Sequence, residues 1–113
     1  MALLRRHGVN AAKIEAIWSF QTSDLFCDAE RAALDLAQAA GSIPNNATDQ
    51  QFENLKQYYS KDEIVDILAV ISYFGFLNRW NDTLATPLEE TPLAFAESHL
   101  ATSGWQVGKH SAR

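Results

Sequence analysis

The chain has 113 residues and a mass of 12.6 kDa, room for one compact domain spanning residues 1–113 and too little for two. Apolar residues make up 47% and charged residues 20%, a globular balance that excludes a disordered or fibrous protein. Fourteen acids against nine bases leave a net charge of -5, the wrong sign for a protein that tracks nucleic-acid phosphates. One cysteine, Cys27, forms no internal disulfide and asks for no oxidising compartment. The opening Met1-Ala2-Leu3-Leu4-Arg5-Arg6 lacks the apolar core of a signal peptide. The longest apolar stretch, Ile64 to Leu77, holds Asp66 and is too short for a bilayer. A cytoplasmic protein without membrane or nucleic-acid partners is the expectation.

Seventeen alanines against three prolines and five glycines tilt the composition toward helix. Leu3 to His7 reads as the end of a helix closed by Gly8, with Arg5, Arg6 and His7 suiting its negative end. Asn10 caps a second helix carrying an Ile14, Ile17, Trp18 stripe. After a linker at Gln21-Thr22-Ser23-Asp24, a third helix runs from about Asp28 to Ala40. Ala33, Leu36, Ala37 and Ala40 set its face, and Gly41 stops it. A loop over 41–47 follows. Thr48 with Gln51 forms a capping box for a fourth helix, whose buried stripe is Phe52, Leu55 and Tyr59. Ser60 with Glu63 opens the longest helix, Lys61 to about Leu84. Strand competes there, because valine, isoleucine and aromatics are frequent, but length and cap favour helix. Thr91-Pro92 supplies cap and first-turn proline for a last helix through about Ala101, and the tail from Gly104 is irregular.

The long helix is apolar nearly all round. Ile64, Ile67, Leu68, Ile71 and Phe74 form one face, while Val65, Val70, Phe76, Leu77 and Trp80 spread over the rest. It is either the central helix of the bundle or shared with another subunit.

Few residues offer chemistry. Cys27 stands where a capping Ser or Thr would, three residues ahead of Glu30; a helix N-terminus favours a thiolate, and Asp28 and Glu30 oppose it. His7, His99 and His110 are far apart, with His99 read on an exposed helix face, and nothing has the spacing of a metal site. Asp62, Glu63 and Asp66 read as a solvated helix start. The densest polar constellation is Asn78, Arg79, Trp80, Asn81 and Asp82. Asn78, Asn81 and Asp82 share one side, either as a buried polar network at an interface or as the floor of a ligand pocket.

Four strings, in order, carry a resemblance. They are Asp28-Ala29-Glu30-Arg31-Ala32-Ala33-Leu34, Tyr59-Ser60-Lys61-Asp62-Glu63-Ile64-Val65, Phe76-Leu77-Asn78-Arg79-Trp80-Asn81 and Gly104-Trp105-Gln106-Val107-Gly108-Lys109-His110. Together they resemble the carboxymuconolactone decarboxylase family in its alkylhydroperoxidase AhpD-like branch, over essentially the whole chain. The resemblance implies an all-α bundle of repeated helical hairpins, completed by oligomerisation into dimers, trimers or hexamers. It implies a thiol peroxidase without cofactor or metal, in which Cys-x-x-Cys, a histidine and a glutamate reduce a hydroperoxide. That motif lies on a helix upstream of the segment matching Leu4-Arg5-Arg6-His7-Gly8, so the chain looks N-terminally incomplete beside the family, and His7 is not the catalytic histidine. In the internal duplication of such proteins, Gly75 and Asn78 fall about where the cysteines would be, Asp82 near the histidine, and Glu30 matches the glutamate of the other copy. Cys27 and Glu30 are thus the remaining catalytic candidates. A non-catalytic scaffold or small-molecule binding protein is one alternative. A lactone decarboxylase using Glu30, Asp82 or His110 as proton donor is another.

Overall fold

The computed structural model describes residues 10–110, and the helix read at Leu3 to His7, with His7 itself, lies outside them. The described chain is all-helical, with five α-helices and no strand: α1 (Ala11–Glu15), α2 (Asp28–Ala40), α3 (Asp49–Lys56), α4 (Lys61–Leu84) and α5 (Glu90–His99). Short 3-10 turns follow at Ala16–Ser19, Ala101–Ser103 and Gly108–His110. No helix among the described residues is long and apolar enough to cross a membrane. The chain divides into two compact units, residues 20–80 and residues 1–19 with 81–113.

The unit of residues 20–80 is built on α2, α3 and the first part of α4. Both sequence-predicted capping boxes form. Thr48 Oγ1 accepts from the Gln51 N–H while Gln51 Oε1 accepts from the Thr48 N–H, and Ser60 and Glu63 repeat the exchange at α4. Each box satisfies two donors that a helix start leaves without partners, which settles α4 as a helix against its β-favouring composition. At the other end of α2, the Gly41 N–H donates to the Ala37 carbonyl. A Cβ at Gly41 would sit 3.1 Å from that same oxygen, so glycine allows the close approach. Leu36, Leu55 and Ile64 form the core, with Ala32, Ala33, Phe52, Tyr59, Leu68 and Ile71 packed against it. Tyr59 lies beyond the end of α3 yet keeps its place in the stripe, because its hydroxyl donates to the Ala29 carbonyl at 2.9 Å. Arg31 closes the turn ahead of α2: Nε donates to the Phe20 carbonyl, Nη2 to the Ser23 carbonyl and Nη1 to Asp28.

The second unit is thinner. Asn10 caps α1 as expected, its Oδ1 accepting from the Ala12 N–H at 2.7 Å, but α1 lasts five residues before tightening into a 3-10 turn. The change of pitch breaks the expected stripe: Ile14 is 2% exposed and Trp18 66%. α5 packs on α1, burying Ala96, with Leu100 buried just after it. It begins at Glu90 and ends at His99, not at Thr91-Pro92 and Ala101. Pro92 falls in the first turn, where a missing N–H costs nothing. Gly104 turns the chain at φ 95°, a left-handed value that suits glycine.

The described residues do not cover α4 as a central helix. Ile64 is buried and Ile67, Leu68 and Ile71 are half-buried, but Phe74, the next residue of that face, is exposed. Val65, Val70, Tyr73, Phe76, Trp80 and Leu84 are exposed as well. The packed face therefore ends one turn beyond Leu68.

Candidate functional site

Cys27 is the N-cap of α2 in extended backbone, and its N–H donates to Glu30 Oε1 at 3.0 Å. The carboxylate of Glu30 therefore serves the backbone of the residue whose ionisation it was expected to oppose. The thiol is exposed. Tyr59 stands close by, and its hydroxyl is held above its ordinary titration range, first by burial and then by the negative charges of Cys27, Glu30 and Glu63. The structure thus brings Cys27, Glu30 and Tyr59 together. No histidine falls anywhere in residues 20–80.

Among the described residues no buried network forms at Asn78–Asp82, where all five residues are exposed. Among the described residues, Asn78, Arg79 and Asn81 make no side-chain hydrogen bond, and Trp80 has Phe76 for a ring neighbour at 6.1 Å. Helical spacing aligned the amides as foreseen, but among the described residues no second element covers that side. Asn81 acts through its backbone: its carbonyl accepts from the Thr86 N–H at 3.1 Å and the Thr86 hydroxyl at 3.4 Å, ending the helix. Between them Ala85 takes a left-handed φ of 51°, a place glycine would fill at less cost.

Asp82 is the member of this stretch with side-chain partners. His110 Nε2 lies 3.1 Å from its Oδ1 and Lys109 Nζ 3.5 Å from its Oδ2. The histidine bond and then the lysine charge hold the Asp82 carboxyl below its ordinary range. His110 Nδ1 lies 2.8 Å from the Thr86 carbonyl. Asp82 and His110, chosen as proton-donor candidates by residue type alone, are therefore a contacting pair, while Glu30 belongs to the other unit.

A second pair was missed. His99 does not sit on an exposed face; its side chain is 20% exposed and its Nδ1 lies 2.7 Å from Glu15 Oε1. Phe95, one turn earlier, packs on the ring at 4.5 Å. The i, i+4 spacing of Phe95 and His99 was legible, whereas Glu15 comes from 84 positions away and gave no local signal.

The unit of residues 20–80 also carries an open cleft of about 370 Å³. Phe20, Asp28, Arg31, Asp35, Gln57 and Tyr58 are among its walls. Every Arg31 nitrogen is committed to the protein's own carbonyls or to Asp28, and Asp35 accepts from Gln51, so the polar wall is largely self-satisfied. Among the described residues, no group of three His, Cys, Asp or Glu side chains could hold a metal ion.

No family model matches the chain. It is similar to two structures of the debrominase Bmp8. A cysteine-to-alanine variant in complex with 2,3,4-tribromopyrrole is 39% identical over 83% of this chain, with a TM-score of 0.77. The apo form is 40% identical over 79%, with a TM-score of 0.73. An uncharacterised protein of Bacillus subtilis, YdfG, is 24% identical over 78 residues. The chain spans about half the length of each: 50% and 48% of the two debrominase chains and 51% of YdfG.

Proposed function

We propose that this chain is a helical module of an AhpD-like protein in the carboxymuconolactone decarboxylase family, and that the reaction it serves is thiol-dependent reduction of a hydroperoxide. The module assignment rests on the similarity to Bmp8, 39% identical at a TM-score of 0.77 over 83% of the chain, and the hydroperoxide rests on the four strings that resemble the AhpD-like branch. The tribromopyrrole complex of that relative is of a cysteine-to-alanine variant. In the two-thiol scheme that the resemblance implies, both thiols belong to the protein. One thiolate takes the distal peroxide oxygen as a sulfenic acid, the alcohol leaves with a proton, and the second thiol condenses with the sulfenic acid to a disulfide and water. These 113 residues hold one cysteine. The attacking and resolving thiols therefore belong to sequence outside them, and Cys27 and Glu30 act as a helix cap.

The gene ahead of the Met1 codon tests the reading. An in-frame Cys-x-x-Cys and histidine on a helix leading into Leu4 is the expected finding. An immediate in-frame stop without such a motif would overturn thiol catalysis and leave the scaffold alternative. The decarboxylase alternative gains the Asp82–His110 pair, but both polar atoms of that ring already face protein acceptors.

Self-association belongs to the same reading. Burying a large apolar side chain contributes about 1.5–3 kcal/mol. Val70, Tyr73, Phe74, Phe76 and Trp80 would all gain from a second copy laid along α4. Sedimentation at micromolar concentration is expected to show a homo-oligomer that a Phe76→Glu change dissociates; a wild-type monomer would contradict it.

A further inference from the structure

His110 meets two acceptors at once. Nδ1 lies 2.8 Å from the Thr86 carbonyl and Nε2 lies 3.1 Å from the Asp82 carboxylate. A carbonyl and a carboxylate accept and never donate, so both contacts are made only when both ring nitrogens carry hydrogen. A neutral imidazole has one N–H. Whichever tautomer it adopts, a ring lone pair then faces one of the two oxygens. The ring is also the hinge pin of a small closed circuit: the Leu88 N–H donates to the His110 carbonyl at 3.1 Å, which ties the 85–88 turn to the Gly108–His110 turn from the other side.

We propose that His110 is a proton-dependent latch, holding the C-terminal 3-10 turn against the end of α4 when its ring is doubly protonated and releasing it when the ring is neutral. Histidine is the side-chain type whose charge ordinarily changes between about pH 5 and 8, which makes a histidine contact a natural proton-dependent tie. The charged groups at this site are Asp82 from α4 and Lys109 from the ring's own turn, and the 85–89 connection adds the Thr86 carbonyl. Lys109 Nζ, 3.5 Å from Asp82 Oδ2, keeps the carboxylate in place while the ring loses its proton. The carboxylate then faces a lone pair instead of an N–H.

His99 supplies an internal control. Its Nδ1 meets Glu15 from α1, a helix whose other titratable residue is Lys13, and that one contact is satisfied by a single N–H. Deprotonation weakens the His99 tie without requiring it to open.

Amide hydrogen exchange read as protection factors at pH 5.5 and pH 8.0 tests the latch. Protection of the Leu88 amide is expected to fall about tenfold at the higher pH, the worth of one hydrogen bond, while the Leu100 amide beside His99 changes little. Asp82→Asn provides the decisive arm. An asparagine amide can donate to a neutral Nε2 while Nδ1–H keeps Thr86, so this variant should hold Leu88 protection at pH 8.0. Should Asp82→Asn fail to fold, His110→Gln is expected to show low Leu88 protection at both pH values. Leu88 protection in the wild type that does not change with pH would overturn the proposal, as would an Asp82→Asn protein that opens at pH 8.0 like the wild type.

Discussion

Residues 20–80 and the unit made of residues 1–19 with 81–113 are held together by different physics. The first is continuous in sequence and closes on three large buried side chains, Leu36, Leu55 and Ile64. Its long-range polar ties, Tyr59 to the Ala29 carbonyl, Gln51 to Asp35 and Arg31 to two carbonyls, use groups that keep their protonation near neutral pH. The second joins two distant segments, buries Ile14, Ala96 and Leu100, and makes its long-range side-chain ties through His99 with Glu15 and His110 with Asp82. Where apolar burial is plentiful, polar contacts set register. In the second unit the described long-range side-chain pairs, those of His99, His110 and Lys109, all join titratable groups.

The sharpest way to break this comparison is Leu36→Ala. Leu36 is fully buried at the centre of the α2–α3 packing, and truncation should cost about 2–5 kcal/mol. Thermal and denaturant unfolding measure it; a loss under 1 kcal/mol would mean that the cluster is not the core. A smaller effect of opposite sign is expected at Ala85. Glycine there relieves the left-handed backbone at the end of α4, for a gain of about 0.5–1 kcal/mol once its extra unfolded-state freedom is counted.

Acid sharpens the comparison further. Asp82 and Glu63 both sit below their ordinary values, Asp82 through His110 and Lys109, Glu63 through the Ser60 N–H and hydroxyl. A depressed carboxyl contributes stability that is complete above its unfolded pKa and lost as pH falls through the folded one. The loss therefore belongs below about pH 4, where carboxyls ordinarily titrate. Side-chain carboxyl NMR across pH 2–6 should find both midpoints below those of Asp49 and Glu53 in matched unfolded peptides. The smallest effect is expected from Asn81→Ala, within about 0.5 kcal/mol, because the side chain is exposed and the helix end uses its carbonyl. A loss of 1–3 kcal/mol would restore the buried network that the sequence pattern suggested.

What could be read in advance followed locality. The bounds of α2 and α4, both capping boxes and the Leu36, Leu55 and Ile64 faces rest on residues three or four apart, and each appeared where the pattern put it. α5 began early because Pro92 is equally at home anywhere in the first turn. The amides at Asn78 and Asn81 were read as buried because their helix is apolar, yet a helix pattern states which residues share a side and not whether anything covers it. The Glu15–His99 and Asp82–His110 pairs join positions 84 and 28 apart, and no local rule connects them. Of the two catalytic candidates, Cys27 and Glu30 were correctly placed at a helix start, where the structure shows a backbone cap in the carboxylate's place of work.

The central claim is that peroxide chemistry does not run on the thiol of these 113 residues. Hydroperoxide consumption by the purified chain with a dithiol reductant, side by side with Cys27→Ser, measures it directly. Both proteins are expected to stay at the rate of reductant alone, since no histidine lies in residues 20–80 to relay a proton to Cys27 and the Glu30 carboxylate accepts from the Cys27 N–H. Wild-type turnover well above that rate, abolished in Cys27→Ser, would contradict the account and make the N-cap of α2 a one-cysteine active site.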